Sequence, residues 1–128
     1  MAANLGIGNK VFFTGFLQGD DVKKIYQMAD LYVMPSVSEP FGIAPLEAMN
    51  QSVPTLISKQ SGVSEVLAHV LKVDFWDVDE MANKIMAVLK YRPLGETLRR
   101  HSSFELGKFC WKNAASQCRR IYNKVVRT

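Results

Sequence analysis

Residues 31–51 read LYVMPSVSEPFGIAPLEAMNQ, and this stretch decides the fold. Leu31-Tyr32-Val33-Met34 is a short apolar run stopped by Pro35 and Ser36, as a buried strand would be. A helix is expected from about Ile43 to Gln51, with Pro45 tolerated in the first turn, where early N–H groups have no intrahelical partner. A strand that turns sharply into a helix is the repeating unit of a parallel sheet covered by helices.

The neighbouring segments repeat that unit. Residues 11–16, VFFTGF, form a β-branched and aromatic run closed by Gly15 and Phe16, and are expected to make a strand buried on both faces. Asp20 or Asp21 then offers an N-cap for a helix on which Val22, Ile25, Tyr26 and Ala29 recur. Pro54-Thr55-Leu56-Ile57-Ser58 supplies another strand, Ser61-Gly62-Val63-Ser64-Glu65 a turn into a short helix, and Leu71-Lys72-Val73-Asp74-Phe75 a fourth strand. Met81, Ile85, Val88 and Leu89 mark the apolar stripe of the next helix, with Asp77 or Asp79 near its start. From Pro93 the chain reads as helical, and Trp111, Ala114, Cys118, Ile121, Tyr122 and Val125 share one face of a last helix, a docking face. The expected fold class is α/β: a partial Rossmann-like parallel sheet of about four strands with flanking helices and a helical carboxyl-terminal segment. One domain is expected over 1–128, with the α/β part at about 1–91 and the helical part at about 92–128.

Composition narrows the function classes. The chain has 128 residues, 48% of them hydrophobic, and no apolar run of the roughly 18 residues that would cross a bilayer. Its start, MAANLGIGNK, lacks the regions of a secretory signal, so a cytoplasmic protein is expected. Cys110 and Cys118 lack CxxC spacing and are expected to be reduced packing thiols. The net charge of +4 is uneven: after Leu89 ten basic residues face two acids, a net +8, which leaves −4 on the rest. That basic segment reads as a solvated helical face with a weak contact to anionic membrane, peripheral to its inner face, as the lesser expectation; nucleic acid is not expected as a partner. His69 and His101 stand without a nucleophile or metal partner in the sequence and are taken as structural.

The loop between strand and helix carries the chemistry. Pro40 fixes φ and Gly42 removes a side chain, so the main chain can turn sharply and approach a ligand. The N–H groups of Gly42, Ile43 and Ala44 then point out of the helix start as unpaired donors, which suits phosphate. Glu39 and Glu47 would repel a bare phosphate, but as ionised carboxylates they accept hydrogen bonds from hydroxyl groups. Carboxylates for hydroxyls with amides for phosphates between them suggest a nucleotide-sugar. The bland alternative has Glu39 complementing the helix dipole and Glu47 exposed on the helix.

These residues resemble the group 1, nucleotide-sugar-dependent retaining glycosyltransferases, which include bacterial glycogen synthase and sucrose synthase and have the GT-B fold. Their E-x7-E motif is similar to Glu39-Pro40-Phe41-Gly42-Ile43-Ala44-Pro45-Leu46-Glu47. Phe13-Thr14-Gly15-Phe16, Tyr26-x-x-Ala29-Asp30-Leu31-x-x-x-Pro35-Ser36, Pro54 and Ser61-Gly62-Val63-Ser64-Glu65 resemble successive family positions, and the Trp111 helix resembles the family's last. The resemblance implies that Glu39 is the catalytic carboxylate contacting hydroxyls of the transferred sugar. It further implies that Phe41, Gly42 and Ile43 face the sugar and diphosphate, that Glu47 holds the ribose, and that Phe16 and Leu17 lie near the base. It implies no metal and no cofactor beyond a nucleoside diphosphate sugar as donor substrate, with a glycan or small molecule as acceptor.

The family's donor domain opens with a Gly-Arg-x-x-x-Lys-Gly-like turn that has no counterpart before Val11, so the chain resembles the second half of that domain. Turnover is expected to need the missing amino-terminal part. Either the Val11 strand pairs directly with the Leu31 strand, or the chain self-associates across an exposed edge. The loop after Glu65 is shorter than the family pattern. The alternative function is a non-catalytic module that binds nucleotide-sugar or docks on a partner. A dinucleotide-dependent oxidoreductase is disfavoured because no G-x-G-x-x-G follows any strand.

Overall fold

The strand Thr55–Ser58 is hydrogen-bonded on both sides, and all four of its residues are buried. In the computed structural model, which describes residues 1–126, this strand is β2 of a three-stranded parallel sheet ordered β1-β2-β3. β1 is Tyr32–Met34, with Tyr32 opposite Thr55 and Met34 opposite Ile57; β3 is Leu71–Val73, with Leu71 opposite Leu56 and Val73 opposite Ser58. A central strand with both faces covered can hold an unbroken apolar run, which is why Leu56 and Ile57 are adjacent and both buried.

Five helices surround the sheet: α1 Asp20–Met28, α2 Ala44–Asn50, α3 Val78–Lys90, α4 Arg92–Leu106 and α5 Trp111–Val126. α2 packs on β1, β2 and α4, and α3 packs on β3 and α4. The core between them holds Met34, Met49, Ile57, Val63, Leu67 and Val70, with Tyr32, Leu46 and Leu106 against its rim. Each such side chain contributes roughly 1.5–3 kcal/mol by leaving water. Asp77 caps α3 as expected: its carboxylate accepts the Glu80 N–H at 2.9 Å. At α1 the cap is Gly19, and Asp20 and Asp21 both lie in the first turn, where their charges still favour the positive end of the helix.

Of the four expected strands, the one at residues 11–16 does not form. Residues 11–16 have no regular structure and pair with neither β1 nor any other segment, and Phe13 is 95% exposed. The reason is that a strand gains its backbone hydrogen bonds only from a neighbour, so β-propensity alone leaves this segment extended and solvated. The outer edge of β1 therefore stays open among the described residues. The two cysteines also depart from expectation: both are free, but both are exposed rather than packed. Cys118 lies in α5, whose apolar face meets little of the core; Trp111 at its start is 92% exposed. The helical segment is borne out as α4 and α5 to Val126, while Arg127 and Thr128 lie outside the described residues.

Candidate functional site

The carboxyl ends of β1 and β2 open into two loops, residues 35–43 and 59–61, that are pinned to each other. The Gly62 N–H donates to the Glu39 carbonyl at 2.8 Å, and the Val63 N–H donates to the Phe41 carbonyl at 2.9 Å. Glu39 and Ser61 thereby form an isolated parallel bridge that extends the β1–β2 pairing past the sheet. Side-chain hydroxyls finish the pinning: Ser58 Oγ donates to the Ser36 carbonyl at 2.6 Å and Ser61 Oγ to the Ser58 carbonyl at 2.8 Å. These internal hydrogen bonds hold the two loops in a fixed shape.

Two glycines permit that shape. Gly42 has φ +88°, a left-handed conformation that a side chain would strain, and a Cβ there would sit 3.1 Å from Glu39 Cγ. A Cβ on Gly62 would sit 2.0 Å from the Pro40 carbonyl oxygen, so only glycine lets the two loops approach this closely. Gly62 was legible in the sequence as part of a turn, but its closeness to Pro40 was not. The chain between them enters α2 through Ile43, with Pro45 buried at the helix start. The N–H groups of Gly42, Ile43 and Ala44 meet no acceptor among the described residues, as the sequence led us to expect of a helix start.

Glu39 is half-buried beside Gly42 and Met34, whereas Glu47 is exposed one turn into α2. Tyr32 lies within the influence of both. Burial first, then the neighbouring Tyr26 and the charges of Glu47 and Glu39, push the Tyr32 phenol up to about 12. Tyr26 meets Tyr32 edge to face with ring centroids 5.8 Å apart, and burial together with the Glu47 carboxylate raises its pKa as well. Both phenols are therefore neutral hydrogen-bond donors at pH 7. The two tyrosines read in the sequence as an apolar helix face and a strand; their proximity to the glutamates follows only from the packing of α1 on the loop end of the sheet.

The predicted residues fall in two places. Leu17 and Glu47 line one cavity of about 490 Å³ between the start of α1 and α2, together with Lys23, Tyr26 and Asn50. Phe41 and Ile43 line another of about 580 Å³, with Leu46, Phe109 and Trp111 on its other walls. Phe16 lines neither and is 88% exposed. Gly42 and Glu39 line neither of these two cavities and lie on the pinned loop. Among the described residues no group of three or more His, Cys, Asp or Glu is placed to hold a metal ion.

At the opposite end of the sheet the carboxylate of Glu105, 1% exposed, accepts the Ala68 N–H at 2.7 Å and the His69 N–H at 2.9 Å. Burial pushes its pKa up, but the two amides and His69, whose Nδ1 is 3.3 Å away, outweigh that and hold it below the ordinary carboxylate range. His69 is thus part of a structural contact joining α4 to the residues before β3, in line with the structural reading of that histidine. Glu105 was not singled out from the sequence, where a lone Glu late in a helix carries no sign of burial.

A parallel α/β sheet whose strand ends carry a glycine-bearing loop and a helix start is the architecture of nucleotide-binding domains. Residues 1–103 match the family described as Glycosyl transferases group 1. An uncharacterized glycosyltransferase of Methanocaldococcus jannaschii is 35% identical over 123 residues, which is 92% of this chain and 31% of that protein. Among solved structures, sucrose-phosphate synthase from Thermosynechococcus elongatus superposes with a TM-score of 0.85 at 25% identity, over 98% of this chain and 33% of the other. The Anabaena protein HepE in complex with UDP-glucose superposes with a TM-score of 0.80 at 22% identity, over 99% of this chain and 35% of the other, a likeness of fold. The chain belongs to the group 1 glycosyltransferases, and it spans about a third of the length of these relatives.

Proposed function

We propose that this chain is part of the donor site of a retaining glycosyltransferase, which moves a sugar from a nucleoside diphosphate to an acceptor hydroxyl. The observation that carries the reading is the pinned loop: the N–H groups of Gly42, Ile43 and Ala44, which meet no acceptor among the described residues, lie in sequence between Glu39 and Glu47. In the reaction the bond between the anomeric carbon and the diphosphate oxygen breaks, the acceptor hydroxyl oxygen bonds to that carbon, and its proton passes to the departing diphosphate, on which negative charge grows. The three N–H groups, with the positive end of α2, stabilise that charge as it grows. Glu39 accepts hydrogen bonds from hydroxyls of the transferred sugar and so fixes the ring relative to the leaving group. Phe41 and Ile43 bring their backbone to the sugar and diphosphate, and Glu47 accepts both hydroxyls of the ribose diol. Leu17 shares the Glu47 cavity and contacts the base, and Phe16 precedes it in the chain. The solved complexes of the fold relative with UDP and with UDP-glucose support a nucleotide-sugar as ligand.

No metal or cofactor is part of this reading, and the acceptor is held by the rest of the protein. The test uses the protein that carries this segment: transfer from UDP-glucose and UDP binding are measured for wild type, Glu39→Gln and Glu47→Gln. Loss of transfer in Glu39→Gln with UDP affinity kept, and weakened UDP binding in Glu47→Gln, support the assignment. UDP binding without transfer in the wild type favours a non-catalytic nucleotide-sugar-binding module. Unchanged transfer and binding in both variants refute the site.

α5 favours a second reading, concerned with location. No helix among the described residues is long and apolar enough to cross a membrane. α5 nevertheless exposes Trp111, Ile121 and Tyr122, and carries Lys112, Arg119, Arg120 and Lys124 with no acid. Such a helix suits the surface of an anionic bilayer, to which it adds a weak, salt-sensitive contact. Co-sedimentation with vesicles containing anionic lipid, falling as salt rises, is the expected result; no co-sedimentation at low salt refutes it.

A further inference from the structure

We infer that Tyr26 is a positioning residue whose hydroxyl orients the Glu47 carboxylate toward the cavity it shares with Leu17. The inference rests on the reading of Glu47 as the ribose contact. Three observations place Tyr26 in that role. α1 and α2 are tied by a hydrogen bond from Gln27 Nε2 to Gln51 Oε1 at 2.9 Å; Tyr26 adjoins Gln27, and Glu47 lies one turn before Gln51. Tyr26 and Glu47 line the same cavity of about 490 Å³. The Tyr26 ring leans edge to face on Tyr32, whose own N–H donates to the Pro54 carbonyl at 2.9 Å and whose side chain packs on the core. The core thus fixes Tyr32 and Tyr32 fixes the plane of Tyr26, on the wall of the cavity that Glu47 also lines.

Glu47 needs such a partner because it is exposed, and a solvated carboxylate on a short helix samples several rotamers. The cation lining the same cavity, Lys23, is already engaged by Asp20 at 2.9 Å. A neutral phenol occupies one lone pair of the carboxylate and leaves the others for the two hydroxyls of a ribose, whereas a lysine would compete for them as a mobile charge. The raised pKa of Tyr26, due to burial and to Glu47, agrees with a protonated donor facing that carboxylate.

Tyr26→Phe removes the hydroxyl and keeps the ring contact with Tyr32. In the protein carrying this segment, the probes are UDP and 2′,3′-dideoxy-UDP, with thermal stability measured alongside. We expect Tyr26→Phe to weaken UDP binding about three- to tenfold and to leave the dideoxy nucleotide's affinity and the midpoint of unfolding unchanged. A purely structural role would shift both nucleotides together. If Glu47→Gln abolishes the preference for UDP and Tyr26→Phe does not, the inference fails and the ribose reading stands. If Glu47→Gln leaves the preference unchanged, or if the wild type has none, the ribose reading fails and takes the inference with it. A ligand-free measurement guards against a variant that does not fold: the Tyr26 ¹³Cζ resonance titrates at lower pH in Glu47→Gln than in wild type. An unchanged titration overturns the contact.

Discussion

Gly62→Ala probes the contact that fixes the whole site. The added Cβ would lie 2.0 Å from the Pro40 carbonyl oxygen and 2.9 Å from the Pro40 carbonyl carbon, both backbone atoms that cannot swing aside as a side chain does. Relief requires the 39–41 and 61–63 segments to separate by roughly 1 Å or more, which breaks the Gly62–Glu39 and Val63–Phe41 hydrogen bonds. Each lost bond costs about 0.5–1.5 kcal/mol, and forcing atoms into a packed site costs about 1–3 kcal/mol. We expect a destabilisation of about 2–6 kcal/mol, read as a lower midpoint in urea unfolding at unchanged slope. UDP binding should weaken as well, since the N–H groups of residues 42–44 move with the loop. Gly95→Ala is the internal control: Gly95 lies in the first turn of α4, and its nearest contacts are 3.8 Å and 3.9 Å away on Val88. There alanine should stabilise by about 0.5–1 kcal/mol. A Gly62→Ala protein as stable as wild type, with UDP binding unchanged, would refute the reasoning.

Three further outcomes follow from particular contacts. Glu105→Ala takes the acceptor from the part-buried Ala68 and His69 N–H groups and should cost about 1–3 kcal/mol in urea unfolding. Because the folded-state pKa of Glu105 lies below its ordinary value of 4.5, its contribution is full above that value and is lost as pH falls through the lower folded pKa. Stability measured from pH 6 down to pH 3 should therefore fall less steeply in Glu105→Gln than in wild type; an identical slope counts against the buried carboxylate. In the 128-residue chain, amide exchange at residues 11–16 should be fast while the amides of β2 are protected, and Phe13→Ser should change stability by no more than about 0.5 kcal/mol. Protection of residues 11–16 would mean that they pair after all.

The sequence by itself determined the α/β alternation, the three strands that form, and the loop from Ser36 to Glu47. These are written in local terms: apolar runs of strand length, Pro45 at a helix start, Gly42 where the chain must turn, Asp77 at a cap. It could not determine whether residues 11–16 become a strand, because a strand exists only with a partner to bond, and propensity says nothing about the partner. The thiols were misplaced for a similar reason, since burial of Cys118 depends on what covers α5. Tertiary structure alone decided that Gly62 lies against Pro40, that Glu105 is a buried anchor, and that Tyr26 lines one cavity with Glu47, 21 positions along the chain. Each is a contact between elements distant in sequence, fixed by the order β1-β2-β3 and by the packing of α1, α2 and α4 around it, and no local pattern encodes it.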